Sequence, residues 1–284
     1  MNYFLYVMTS ASLLIPVILG YNLVFGRGKI LNFGQIGVSI VSAYAIVIPL
    51  MVTGSYSMSI VSGLLCTAIL SILFAWLALR LESDAFGILT IAMHLALYAV
   101  TLNWSDLTRG ALGIPAIPRM PGLESLPAFA AASIAIASLW ITFMYFIDSS
   151  PLGRALAALA ENRPHAESLG ISRSRTYLAA FLIAGLGSVL TNLLYPQFLG
   201  LLHPNDYRFE SLVFLIMVCV AGRPGSVKGV VLSTYVLVFL KEGLRFVPLP
   251  YGLIGPLRLI LFGLILIAAV YIRRKELFPK PRTI

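Results

Sequence analysis

The chain has 284 residues, of which 59% are hydrophobic and only 11% are charged, and its mean hydropathy is +0.94. Because soluble globular domains carry about 25% charged residues, this composition excludes a cytosolic enzyme, a disordered chain and a disulfide-stapled secreted module. It leaves an all-α polytopic membrane protein, in which each crossing takes about 20 apolar residues. The net charge of +9 would indicate nucleic-acid binding in a soluble protein, whereas in a membrane protein it marks cytoplasmic loops.

Apolar stretches predict about nine transmembrane helices, within a range of roughly eight to ten. In chain order they cover 1–26, two spans within 30–79 separated by a turn at 53–55, and then 85–102, 128–147, 177–202, 209–221, 229–247 and 253–272. The span 209–221 is short for a hydrocarbon core of about 30 Å. The next span reaches full length only by including Lys241, Glu242 and Arg245, so the count is least defined in 203–252.

Basic residues predict the orientation of these spans. The segment after Ile272 begins with Arg273, Arg274 and Lys275 and contains one acid, Glu276, so the C-terminus is expected in the cytoplasm. Nine spans then place the N-terminus outside, and the first residues lack the basic region of a cleaved signal peptide. Most of the bases fall on the predicted cytoplasmic loops, so the charge indicates topology and no nucleic-acid partner is expected.

The sequence contains no recognisable source of energy for transport. Ion-driven transporters place charged residues in mid-membrane, and none lies at the centre of a well-defined span here. There is also no phosphate-binding Gly-Lys-Ser/Thr loop, no His-Glu-x-x-His motif and no cysteine cluster. We therefore expect a non-catalytic chain without a cofactor or metal, which depends on a partner for any uphill transport.

Polar residues form faces on two of the predicted helices. Four of them follow one another in the second span at spacings of three, four and three, and three more lie close together in the sixth. Such faces either hold helices together through hydrogen bonds or line a polar path through the bundle, and both interpretations stay open. A histidine in the fourth span is either a packed, hydrogen-bonded ring or a substrate contact. The candidate pathway residues are Asn32, Gln35, Ser39, Ser42, His94, Ser188, Thr191 and Asn192.

Two predicted cytoplasmic turns are both basic and rich in glycine. They are Gly26-Arg27-Gly28-Lys29 and the stretch from Gly222 to Gly229. Both join spans of the same predicted orientation, so they are either the trace of an internal repeat or ordinary helix breaks.

The segment 103–127 is a long external loop in this topology. It holds four prolines, and loops of this length without obvious secondary structure tend to be functional or mobile. Trp104 and the stretch Gly110–Pro115 are candidates for a lid or for a face that docks an external partner.

The loop 148–176 is the most informative cytoplasmic segment. Ser150-Pro151 is a helix start, and Arg154–Ser168 is predicted to form one helix with alanine and leucine on one side. Gly170 is expected to cap its C-terminus. A short loop with its own amphipathic helix is typical of a docking element, and the alternative is an interfacial helix that rests on lipid headgroups.

Several stretches resemble, in order, the permease subunits of branched-chain amino acid ABC importers. The run Ser150–Leu156 with Ala160-Glu161-Asn162 and Ala166–Ile171 is similar to the cytoplasmic coupling loop of these subunits. Further similar stretches are Gly20–Gly26, Leu31–Gln35, Ser42–Tyr44, Thr108–Pro115 and residues within 204–245. The external Gly-Pro stretch favours the M-type over the H-type permease, and the resemblance covers roughly residues 10 to 250.

The resemblance implies that 1–284 form a single transmembrane permease domain in a bacterial inner (plasma) membrane. The expected partners are a second permease subunit, two cytosolic ATP-binding subunits, a periplasmic substrate-binding protein and the surrounding lipid. The loop around 154–170 would sit in a groove of the ATP-binding subunit, with Arg154, Glu161, Asn162 and Gly170 as coupling residues. The expected solutes are branched-chain or related amino acids. The alternatives are urea or amides, or a stand-alone secondary carrier or facilitator.

Overall fold

The computed structural model describes residues 2–243 and parts of 260–271, and its described part is almost entirely helical. The N-terminal half contains α1 (Asn2–Tyr21), a π-helical turn (Asn22–Arg27), α2 (Gln35–Thr53), α3 (Tyr56–Arg80), α4 (Ser83–Asn103), α5 (Ser105–Thr108), a 3-10 turn (Gly110–Leu112), β1 (Ile114–Pro115) and α6 (Leu126–Ser149). The C-terminal half contains α7 (Pro151–Glu161), α8 (Arg163–Ser168), α9 (Arg173–Leu199), β2 (Leu201–Leu202), a second 3-10 turn (Pro204–Tyr207), α10 (Phe209–Ala221) and α11 (Val227–Gly243).

Six of these helices are long and apolar enough to cross a membrane: α1 with the π-turn, α2, α3, α4, α6 and α9. They correspond to the first six predicted spans, and the shortest of them, at 19 residues, is about 28 Å long. The seventh predicted span is the short helix α10 and the eighth begins as α11. The prediction of an all-α polytopic membrane protein is confirmed. The span 253–272 lies largely outside the described residues, so the count of nine and the orientation stay predictions.

Two predicted helix boundaries were wrong, and a polar side chain explains each. The second span was expected to begin near Ile30, but α2 begins at Gln35, because the Asn32 side chain accepts a hydrogen bond from the Gly34 N–H (3.0 Å) and holds a turn there. The helix predicted over 154–168 is two helices, α7 and α8, separated at Asn162. Asn162 caps α8 by accepting a hydrogen bond from the His165 N–H (3.1 Å), and Pro164 lies in the first turn of α8, a typical start signal.

Helices α1, α2 and α9 form the inner set of the bundle. About 61% of the apolar window of each is buried, against 28% for α3, α4 and α6. Small residues allow α1 and α9 to approach closely: a Cβ at Gly187 would collide with the Pro16 carbonyl, and one at Gly20 would meet the Ala184 backbone. The outer helices instead expose large apolar side chains such as Ile88, as expected for surfaces that face lipid.

The segment 103–127 is fastened to the end of α9. Strand β1 pairs antiparallel with β2, with Ile114 opposite Leu202, and the Met120 N–H donates to Gln197 Oε1 (2.9 Å). The predicted external loop therefore contains α5, a 3-10 turn and a strand, and it packs against the adjoining end of the bundle.

Candidate functional site

The polar faces predicted on the second and sixth spans meet in the structure. Gln35 is 1% exposed, and its Nε2 donates to the Ala184 carbonyl (3.1 Å) and to Ser188 Oγ (2.9 Å). On the other side, Gln35 Oε1 accepts from Asn32 Nδ2 (3.4 Å). The start of α2 is thus tied to the middle of α9 by a carboxamide whose donor and acceptor groups both have partners.

A second set of hydrogen bonds lies one helical turn further along both helices. Asn192 Nδ2 donates to the Ser39 carbonyl (2.9 Å) and to Ser39 Oγ (2.8 Å). Asn192 Oδ1 accepts from the Tyr207 hydroxyl (2.7 Å). Tyr207 was not predicted, because it lies in a short 3-10 turn where helical periodicity gives no signal.

The two remaining residues of these faces have different surroundings. Thr191 Oγ1 accepts from the Val17 N–H (3.2 Å), directly after Pro16, so α9 also contacts α1 through a polar group. Ser42 is fully buried, and its Oγ has no hydrogen-bond partner in the part of the chain that the structure describes. We use the name polar seam for the seven predicted polar residues on α2, on α9 and in the turn before α2. They are Asn32, Gln35, Ser39, Ser42, Ser188, Thr191 and Asn192.

His94 lies on α4, beside α2 but apart from the hydrogen bonds of the polar seam. It is 1% exposed, and a Cβ at Gly37 of α2 would lie 3.1 Å from the His94 Cα atom. Neither ring nitrogen has a hydrogen-bond partner among the described residues. The ring does lie close enough to the Tyr207 backbone to interact with it, which places His94 beside the 3-10 turn that bonds Asn192.

The loop 148–176 folds as a pair of short helices with one anchored face. Ser150 caps α7 and Pro151 is its first residue, as predicted from the sequence. Leu156 and Leu159 are buried and hold α7 against the bundle. The opposite side borders a groove of about 630 Å³, lined by residues that include Arg154, Ala158, Gly170 and Arg175.

The four predicted coupling residues are all exposed, but they do not lie together. Arg154 and Gly170 line the groove, whereas Glu161 and Asn162 lie where α7 passes into α8. Gly170 follows the cap residue of α8 and has φ +84°, a conformation that glycine adopts readily.

A bundle of six apolar helices long enough to cross a membrane, with polar side chains buried between them, defines a polytopic membrane protein. The chain belongs to the family described as the permease component of the branched-chain amino acid transport system, which matches residues 3–270. The resemblance stated from the sequence is therefore confirmed.

Curated relatives include both types of permease subunit. The high-affinity branched-chain amino acid transport permease LivM of Escherichia coli K12 is 27% identical over 256 residues, which cover 80% of this chain and 60% of the relative. LivH of Salmonella typhimurium is 25% identical over 250 residues, or 81% of each chain. The xylose transport permease XylH of Escherichia coli K12 is 30% identical over 113 residues, which cover 38% of this chain and 28% of the relative. The matched region spans about 60% of the length of LivM, and no solved structure matches the chain.

Proposed function

We propose that the chain is the permease subunit of an ATP-binding-cassette importer for branched-chain or related amino acids. It lies in a bacterial inner membrane as a multi-pass protein, with its N-terminus outside and its C-terminus in the cytoplasm. The observation that carries the proposal is the family match over residues 3–270. The buried polar seam between α2 and α9 supports a solute pathway at that place.

The polar seam suits a solute that combines an apolar side chain with an ammonium and a carboxylate group. In the structure the side-chain amides of the polar seam bond hydroxyls and backbone carbonyls of the facing helix. If α2 and α9 separate, the same groups become free to bind the ammonium and carboxylate groups of an amino acid. Bonds to the solute would then replace internal hydrogen bonds that the separation breaks, so these buried groups would not be left without partners.

The energy would come from partner subunits. The chain is proposed to work with a second permease subunit, two cytosolic ATP-binding subunits and a periplasmic substrate-binding protein, and to carry no cofactor, metal or catalytic residue itself. The groove beside Arg154 and Gly170 would receive the ATP-binding subunit, because its exposed wall is amphipathic while Leu156 anchors the other face. Glu161 and Asn162 would add contacts at the end of α7.

Co-purification and reconstitution test this proposal against a stand-alone carrier or facilitator. We expect the full chain to retain ATP-binding subunits through purification, and to transport leucine in proteoliposomes only with those subunits, the binding protein and ATP. Transport of leucine by this chain alone, without ATP, would contradict the proposal. Uptake of urea in place of leucine by the complete complex would correct the solute and retain the class of transporter.

A further inference from the structure

The two basic glycine turns, which are about 200 residues apart in the chain, lie against each other. The π-turn Asn22–Arg27 continues α1, and the Asn22 Oδ1 atom accepts a hydrogen bond from the Gly225 N–H (2.8 Å). A Cβ at Gly26 would collide with both Asn22 Oδ1 and Gly225 N. Glycine at position 26 is therefore required for this close approach.

The end of the same π-turn lies against the loop 148–176. A Cβ at Gly28 would lie 3.1 Å from the Leu156 Cδ1 atom of α7, and Leu156 is fully buried. Arg27 Nε lies 3.1 Å from Asp148 Oδ1 in an ion pair, with both side chains about one third exposed. Asp148 is near the end of α6, just before α7 begins. The C-terminal end of the π-turn therefore lies against α7 at Gly28 and is ion-paired at Arg27 with the last turn of α6, which leads into α7.

On its other side, the π-turn leads within seven residues to the polar seam. The connecting residues 28–34 are not helical, yet they are fixed by hydrogen bonds. The Phe33 N–H donates to Thr90 Oγ1 (3.1 Å), and the Asn32 side chain bonds both Gly34 and Gln35. These hydrogen bonds limit the conformational freedom of residues 28–34. A displacement of the π-turn would therefore also displace Asn32 and Gln35.

A change of helical register at the π-turn is a geometric means of passing on movement. π-helical turns are rare and are frequent at functional sites, and one residue of register in a helix corresponds to about 1.5 Å along the axis and 100° of rotation. A π-to-α change at 22–27 would therefore rotate and shift everything that follows it.

We propose that the π-turn is the hinge that passes movement of the loop 148–176 to the polar seam, with Asn22 and Arg27 as positioning residues for transport coupling. The proposal rests on the function proposed above. It differs from a purely structural role, in which these contacts would only hold the bundle together and their loss would lower the amount of folded protein.

The test uses the complete complex in proteoliposomes and measures leucine uptake per ATP hydrolysed, together with the yield of assembled complex. We expect Asn22→Ala and Arg27→Ala to lower uptake per ATP at least fivefold with assembly retained. The exchange Arg27→Asp with Asp148→Arg should restore the ratio to within twofold of the original. Lys29→Ala removes an exposed neighbouring charge and is the matched control, expected to leave the ratio unchanged.

A second comparison uses glycine. Gly26→Ala should lower the ratio as Asn22→Ala does, whereas Gly243→Ala, where the added Cβ meets nothing within 4 Å, should not. An unchanged ratio in the Asn22, Arg27 and Gly26 variants, or failure of the charge exchange to restore it, would overturn the hinge. Failure of the unaltered chain to bind ATP-binding subunits would overturn the proposed function as well, and it would be seen before any variant is compared.

Discussion

The hydrogen bonds of Asn192 should make a measurable contribution to the stability of the protein. Asn192 is 1% exposed and makes three hydrogen bonds, two to Ser39 and one from the Tyr207 hydroxyl. At about 1 kcal/mol for each net hydrogen bond, Asn192→Ala should lower the free energy of unfolding by about 3 kcal/mol. With roughly 2–4 °C per kcal/mol for a chain of this size, the melting temperature should fall by about 6–12 °C.

Tyr207→Phe isolates one of these bonds. It removes only the hydroxyl and leaves Asn192 Oδ1 without that donor, so the expected loss is about 1 kcal/mol, or roughly 2–4 °C. In the double variant the Tyr207 hydroxyl has no Asn192 to bond, so its removal should cost almost nothing further. The double variant should therefore melt about 2–4 °C higher than the sum of the single shifts predicts.

Thermal unfolding of the purified chain in detergent, followed by the loss of helical signal, measures these shifts. Asn103→Ala is the matched control, because Asn103 is exposed and bonds only a carbonyl of its own helix, and a surface change of this kind stays within about 0.5 kcal/mol. Shifts of Asn192→Ala and Tyr207→Phe that add to within about 1 °C would refute the coupling of α9 to the 3-10 turn through this bond.

Two further predictions separate packing from partner binding. Gly187→Ala should lower the melting temperature sharply, because the added Cβ would collide with the Pro16 carbonyl and push α1 away from α9. Gly243→Ala is the control, since its added Cβ meets nothing within 4 Å. Equal shifts in melting temperature for the two variants would contradict this account. Leu156→Ala should cost about 2–5 kcal/mol of stability as a buried large-to-small change. Arg154→Ala should change the free energy of unfolding by no more than about 0.5 kcal/mol and should reduce the amount of co-purified ATP-binding subunit. A loss of stability with an unchanged amount of co-purified subunit would show that the exposed wall of the groove is not a docking surface.

The sequence was sufficient for the class of fold and for most of its helices. Apolar stretches of 18 residues or more predict helices that cross a membrane, because such segments must satisfy their own backbone hydrogen bonds in lipid. The first six predicted spans correspond to six helices. The boundaries at Asn32 and Asn162 were missed, because each is set by one polar side chain that apolarity does not reveal. At Asn162 a signal was present, since asparagine followed by Arg163-Pro164 is a helix start.

The candidate site was predictable only in part. Helical spacing identified the polar faces, but which helices face each other is a property of tertiary packing, and Tyr207 joins the polar seam from outside any periodic element. The contact between the two glycine turns was also beyond sequence reasoning. Their similar composition indicated either a repeat or simple helix breaks, whereas their proximity depends on how α1, α10 and α11 pack.

Uptake of radiolabelled leucine is the most direct test of the central claim that α2 and α9 form a solute pathway energised by separate subunits. The measurement uses proteoliposomes that contain the complete complex, with and without ATP, and compares the unaltered chain with Gln35→Ala. We expect ATP-dependent uptake that falls at least tenfold in Gln35→Ala while the complex remains assembled, because the Gln35 carboxamide, now bonded to Ser188 and Ala184, would bind the solute when α2 and α9 separate. Uptake that needs neither ATP nor partner subunits, or that is unaffected by Gln35→Ala, would contradict the claim.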